Sequence, residues 1–413
     1  MSKSVNSRNE LKKFIYISAS CFAAYATCYL GRNILSAMMP LIIKSQIYSH
    51  DSLASMGSAF FITYGFGQLI NGFLGNRASA KIMVFTGLFF TGILVILFPV
   101  ISSFSLSMIL WAVCGFLCSM LWGPLSRLVG ENTSERAGRM ILTLLTIASI
   151  VGTGITYILA IISTEMDKWN IGFFIAGFVL IVVSASWYSA VNILERRKLI
   201  NLTVQALTKE KSKNTIKYLA DNSIIQMTAI AMLNGVIRNA AAFWIPTYIT
   251  ERFQVSTSIA AAISSVLPFV NLGGTLISVY VAKLLRNNEI KILAVFFGFS
   301  TVCFAVMYLG NNNVMSLNLI MLFTASAAMA GACNIIFSFY VLRFAGIGKI
   351  SGVTGFLDFA SYASASGANI LFSRLLAGFD WNHIVAVWAF TSLAGLFFCL
   401  PLFSFNRKND FSL

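Results

Sequence analysis

The chain has 413 residues, of which 58% are hydrophobic and 10% charged, and its formal net charge is +15. Soluble domains carry about 25% charged residues, so an ordinary soluble globular protein is excluded. The basic excess is not a nucleic-acid footprint either, because no loop combines a basic patch with interleaved aromatics, and no nucleic-acid partner is expected.

In chain order, apolar segments recur at about 14–43, 53–74, 82–103, 105–129, 139–163, 168–193, 223–250, 257–282, 290–310, 314–342, 350–378 and 383–404. A helix needs roughly 20 residues to cross a bilayer. These segments are too long for barrel strands, and lipid forces backbone polar groups to bond within the segment. The expectation is an all-α membrane protein with 12 transmembrane helices and the lipid bilayer as its surroundings. The tail MSKSVNSRNELKK leads into a span too long for a signal sequence and lacks an A-x-A site, so no cleaved leader is expected.

Between the spans, charge alternates. Of 29 Lys and Arg, 22 fall in the two tails and in alternate loops, among them Arg77, Lys81, Arg136, Arg139, Lys283 and Lys349. The other loops hold only Lys44, Lys168 and Arg252. This positive-inside pattern predicts that both termini are cytoplasmic and that the span count is even.

Four arginines remain inside spans: Arg32, Arg127, Arg238 and Arg374. Arg127 and Arg374 lie near span ends, where snorkelling or a structural bond accounts for them. Arg32 and Arg238 lie mid-span, where a charge costs at least ~2.5–3.5 kcal/mol and normally faces a cavity or a partner. Asp358 is the only acid deep in a span, so positive charge is in surplus and an anionic ligand is indicated. A guanidinium is a planar fork that meets a phosphate with two parallel hydrogen bonds and keeps its proton.

The seven cysteines all lie in spans without paired spacing and read as small packing residues. His50 and His383 fall in outer loops, and no carboxylate cluster accompanies them. Neither a metal site nor a cofactor is therefore expected, nor is an enzyme, since no nucleophile, base and oxyanion set can be assembled.

One long polar stretch, 194–222, divides the chain into a six-helix half at 1–193 and another at 223–413. Arg32-Asn33 with Pro40 in the first half aligns on Arg238-Asn239 with Pro246 in the second. Such a repeat resembles the major facilitator superfamily, which implies two six-helix halves related by pseudo-two-fold symmetry and a ligand near the bilayer midplane. The loop GFLGNRASAK, residues 72–81, is similar to that superfamily's Gly-x-x-x-Asp-Arg-x-Gly-Arg-Lys loop, with Asn76 in place of Asp and Ser79 in place of Gly.

Within that superfamily, Tyr29-Leu30-Gly31-Arg32 with Pro40, and Arg238 with Trp244-Ile245-Pro246-Thr247-Tyr248, resemble the organophosphate:phosphate antiporters. Tyr64-Gly65-Phe66, Trp122-Gly123-Pro124, Thr354-Gly355-Phe356 and Asp380-Trp381 are similar as well. The resemblance implies a transporter that exchanges a phosphate ester, a sugar phosphate or glycerol phosphate, for inorganic phosphate. A monomer in a bacterial cytoplasmic membrane is the expected working form. Arg32 and Arg238 would grip the phosphoryl group, with Tyr29 and Tyr64 as hydroxyl contacts. Ser149 stands where glycerol-phosphate transporters have a His, Gln68 where they have a Lys and Pro268 where they have a Glu, while Asp358 is an addition. These departures leave the ester open. Asp358 is either a structural ion-pair partner or an acceptor for a ligand hydroxyl. Asn33 and Asn239 either brace their arginines or bond across helices. Trp122 is either a packing residue or a wall of the site. A proton-coupled carrier of another organic anion and a sensor of external sugar phosphate remain alternatives.

Overall fold

The structure, a computed structural model, describes residues 2–202, 223–310, 314–376 and 380–400, and every regular element among them is a helix. Of the expected linker 194–222, residues 203–222 lie outside the described residues, as do Arg407 and Lys408. The chain forms two compact units: Met1–Gln205 with Val341–Phe356, and Ala206–Tyr340 with Leu357–Leu413.

In the first unit the helices are α1 Ser2–Lys44, α2 His50–Leu74, α3 Ala80–Leu97, α4 Phe104–Cys118, α5 Trp122–Asn132, α6 Glu135–Glu165 and α7 Trp169–Arg196. Helix α1 begins well before residue 14 because apolar content marks the membrane crossing rather than the helix, and Arg8, Glu10, Leu11, Lys12 and Lys13 just ahead of the run are good helix formers. Ser49 and Ser134 start α2 and α6 by accepting the Ser52 and Ala137 amides, which would otherwise be left without partners. Helices pack in the pairs α1 with α6, α2 with α4 and α3 with α7. The last pair meets through glycine: a Cβ on Gly92 would lie 2.8 Å from the Gly177 carbonyl oxygen. Close backbone approach of this kind is how helices gain contact where lipid removes the hydrophobic driving force.

The second unit holds α8 Ile224–Gly235, a π-helical turn Val236–Ala241, α9 Ala242–Phe253, α10 Thr257–Ser264, α11 Leu267–Leu284, α12 Glu289–Leu309 and α13 Met315–Asn334. Another π-helical turn, Ile335–Phe339, follows; the 3-10 stretch Tyr340–Ile347 passes into the first unit, α14 Ile350–Leu376 begins there and returns to the second unit from Leu357, and α15 Trp381–Phe398 comes last. Here α11 packs on α13, and α12 on α15. The buried hydroxyls of Ser300 and Ser392, 3.1 Å apart, join the latter pair. Second pass on fourth and third on sixth is thus the packing rule inside each unit, as a duplicated sequence requires.

Nine described helical passes are long and apolar enough to cross a membrane, and the bent pair Ile224–Asn239 with Trp244–Phe253 makes a tenth. The two remaining predicted spans are the helices α2 and α14, 25 and 27 residues long. Both bury polar side chains: Gln68 and Asn71 on α2, and Ser351, Thr354, Asp358 and Ser361 on α14. Large apolar side chains such as Phe66, Phe178, Tyr280 and Phe390 are more than half exposed, the outward face that lipid covers.

The first turns of α14 belong to the first unit, where they lie against α2. A Cβ on Gly355 would come within 2.7 Å of the Gly72 Cα and overlap the Gln68 carbonyl. The Gly352 amide donates to Asn76 Oδ1 at 3.0 Å, the use this fold makes of the Asn in the loop after α2. Arg127 does not snorkel. Only 4% exposed, it donates to the carbonyls of Gly75 and Ala78 at 2.8 and 3.2 Å and to Glu131 Oε1 at 2.9 Å. Loop carbonyls that end α2 need donors, so the nearby bends hold this guanidinium in place. Arg374, by contrast, is exposed in the last turn of α14.

The α2–α14 contact gives a first prediction. Gly355→Ala should lower stability by roughly 1–3 kcal/mol, since overpacking against backbone is not relieved by a rotamer change. Gly367 on the same helix has nothing within 4 Å of its would-be Cβ, so Gly367→Ala should cost nothing. Thermal melts of the two purified variants compare them directly, and equal melting temperatures would count against the close contact.

Candidate functional site

Each unit carries its own cluster around a mid-span arginine. In the first unit, the Arg32 guanidinium carbon lies 4.4 Å from the ring centroid of Tyr64, 5.3 Å from that of Tyr29 and 5.7 Å from that of Phe61. Tyr29 and Arg32 are three residues apart on α1, as are Phe61 and Tyr64 on α2, so each pair shares a helix face. Ring faces stabilise a cation by about 0.5–2 kcal/mol each without neutralising it. The cluster therefore holds a permanent positive charge against aromatic walls. Phe61 was not singled out in the sequence, although its three-residue spacing from Tyr64 puts both on one helix face.

A second layer fixes α1. Asn33 Nδ2 donates to Thr153 Oγ1 at 2.9 Å, Thr153 donates to the Ser149 carbonyl at 2.8 Å, and Ser149 Oγ donates to the Thr146 carbonyl at 2.6 Å. Asn33 thus ties α1 to α6, while the Ser149 hydroxyl proton is committed to its own helix. Trp122 packs at 5.0 Å on Tyr25, which lies 5.4 Å from Tyr29, so Trp122 stands behind the aromatic wall.

In the second unit, Arg238 and Asn239 sit on the π-helical turn Val236–Ala241. Such turns are rare and cluster at functional sites because an extra residue per turn re-aims the side chains around it. The pass bends by 49° across this region, where Pro246 also removes a backbone donor. Asn239 Nδ2 is buried and has no hydrogen-bond partner among the described residues. Asp358, 8% exposed, and Arg238 both act electrostatically on Cys333 of α13, which groups a cation, an acid and a half-buried thiol. Trp244 Nε1 donates to Asn369 Oδ1 at 3.1 Å and so ties α9 to α14. Cys333 was read only as packing, and Asn369 was not singled out. Among the described residues, no group of three or more His, Cys, Asp or Glu side chains is placed to hold a metal ion.

Two units of paired apolar helices, each with a half-buried mid-span arginine, define a multi-pass integral membrane protein. The chain belongs to the Major Facilitator Superfamily, whose family model matches residues 21–369. Its fold is that of a bacterial homologue of the iron transporter ferroportin in an outward-facing state, with a TM-score of 0.74 at 14% identity, covering 93% of this chain and 98% of that one. Among curated proteins, it is 24% identical over 169 residues to the probable hexose phosphate transport protein of Chlamydia muridarum, covering 41% of this chain and 37% of that protein. It is 28% identical over 172 residues to the membrane sensor protein UhpC of Escherichia coli, covering 41% and 38%. It is 27% identical over 268 residues to the glycerol-3-phosphate transporter of Bacillus subtilis, covering 59% and 58%. The matched stretch spans about two fifths of the length of the first two relatives.

Proposed function

We propose that the protein is a secondary transporter that carries a phosphate ester across the membrane in exchange for inorganic phosphate by alternating access. The observation that carries this reading is the repeat itself, an Arg-Asn pair with a Pro eight positions after the Arg in the first pass of each unit. Each unit supplies one guanidinium fork to the phosphoryl group. Tyr29 and Tyr64 add hydroxyls beside Arg32, Asn33 positions the helix that carries it, and Asn239 offers its amide to the ligand beside Arg238. Trp122 backs the wall, and Ser149 adds a hydroxyl acceptor. The relatives named for hexose phosphate and glycerol-3-phosphate support a phosphorylated ligand. The proposed setting is a bacterial cytoplasmic membrane with both termini on the cytoplasmic side, and the working unit is a monomer.

Proteoliposomes loaded with inorganic phosphate and offered a panel of phosphate esters test the reading. Ester-dependent phosphate efflux is the expected outcome. A second reading, a sensor of external sugar phosphate, is favoured by the match to the sensor UhpC. It predicts saturable ester binding by the purified protein without flux.

Asp358 separates the ester from phosphate. Its carboxylate lies in the Arg238 neighbourhood, where it can accept a hydroxyl from the organic part of the ligand. Asp358→Asn should therefore weaken ester uptake about 10-fold, the equivalent of one hydrogen bond to a charged group, while phosphate–phosphate exchange persists. Equal loss of both fluxes would assign Asp358 to a structural ion pair.

A further inference from the structure

The first unit contains a cavity of about 450 Å³ that the transport reading does not use. Ile70, Phe73, Leu74, Asn76, Arg77 and Lys349 line it. Its wall is the outer face of α2, where Ile70, Phe73 and Leu74 are 53%, 55% and 47% exposed. Above that wall, two cations face one opening. Arg77 follows the end of α2, and Lys349 precedes the first residue of α14. The Lys349 ammonium is held below its usual range by burial and by the Arg77 charge beside it. Both residues lie on the side that the charge pattern makes cytoplasmic.

We propose that this cavity binds one anionic phospholipid. Its phosphate would sit between Arg77 and Lys349, and an acyl chain would run along Ile70, Phe73 and Leu74. Two like charges sharing an opening repel each other, and an anion between them reverses that cost. A free phosphate would satisfy the cations but leave the apolar wall uncovered, whereas a phospholipid matches both parts. Asn76, on the same cavity, already holds the Gly352 amide at 3.0 Å. A lipid bridging Arg77 and Lys349 would therefore clamp the start of α14 onto α2 at the point where Gly72 and Gly355 meet.

Native mass spectrometry of the full-length protein, released from nanodiscs of mixed phosphatidylglycerol and phosphatidylcholine, tests the assignment. About 1 kcal/mol for each of two cations corresponds to a roughly 30-fold preference for phosphatidylglycerol in the retained adduct. Phosphatidylglycerol should also raise the melting temperature above that in phosphatidylcholine alone. Both effects should vanish in the Arg77→Gln/Lys349→Gln variant, and each single variant should retain only part of them if the double variant does not fold. Undiminished preference in these variants overturns the proposal. So does an equal thermal shift from inorganic phosphate in phosphatidylcholine, which would mark an anion site without a lipid. The single variants should leave phosphate exchange in phosphatidylcholine liposomes unchanged, so failure here is distinct from failure of the transport reading.

Discussion

Replacing Arg32 with lysine should reduce phosphate exchange almost as severely as replacing it with alanine, by roughly 100-fold in either case. Each hydrogen bond to a charged group contributes about 1.5–3 kcal/mol, and the guanidinium fork can make two to one phosphate. Lysine keeps the charge but presents a compact, strongly hydrated ammonium that cannot reproduce the fork. The setting makes the substitution harsher. The three rings at 4.4, 5.3 and 5.7 Å frame a broad planar cation, and an ammonium at the end of a shorter reach leaves part of that frame empty. Exchange measured in proteoliposomes, with correct insertion verified for each variant, decides the matter. Near-normal flux in Arg32→Lys would remove Arg32 from phosphate recognition.

Inorganic phosphate should raise the thermal stability of the purified protein, and that rise should require the arginines. A ligand that binds only the folded state stabilises it by RT ln(1 + [L]/Kd), about 2.7 kcal/mol at a hundred times the Kd. Arg32→Ala and Arg238→Ala should each shrink the shift, and the double variant should abolish it. Because one arginine lies in each unit, loss in both single variants would mean that a single anion draws on both clusters. A shift that survives in the double variant would place phosphate elsewhere. Melting curves across a phosphate series, at constant ionic strength set with chloride, separate specific binding from screening.

How much of this could be read from the sequence differs between elements. Arg32 and Arg238 were legible because a charge in a long apolar run stands out and the same dipeptide returns some 200 residues later. The helix α2 was legible as a span from the apolar run at 53–74, while the inward facing of Gln68 and Asn71 was not. For Arg127 the sequence left snorkelling and a structural bond open, and the fold makes the structural bond, to the carbonyls of Gly75 and Ala78, 52 and 49 residues earlier in the chain. No local pattern announces a contact of that separation. The grouping of Cys333 with Arg238 and Asp358 was hidden for the same reason, since three separate helical passes bring those residues together. The π-helical turns were also invisible. Neither Val236–Ala241 nor Ile335–Phe339 carries a Pro or Gly that would mark a break in the helix, and only packing decides where one residue too many is looped out.

The turn at Val236–Ala241 also bears on how the two halves have aged since duplication. Arg32 and Arg238 keep the same neighbours in sequence, yet Arg32 lies in an uninterrupted α-helix and Arg238 in a wound-out one. Identical letters have thus been inherited on unlike frames. Both copies keep eight residues from Arg to Pro, so the wider turn is a difference of winding and not of length. Beyond it, Trp244 and Tyr248 bond to Asn369 and Asn318 at 3.1 and 3.0 Å, partners that lie on other helical passes. The unlike frame of the second copy is thus kept by its neighbours in space, and two stretches with the same spacing can drift apart without a single insertion.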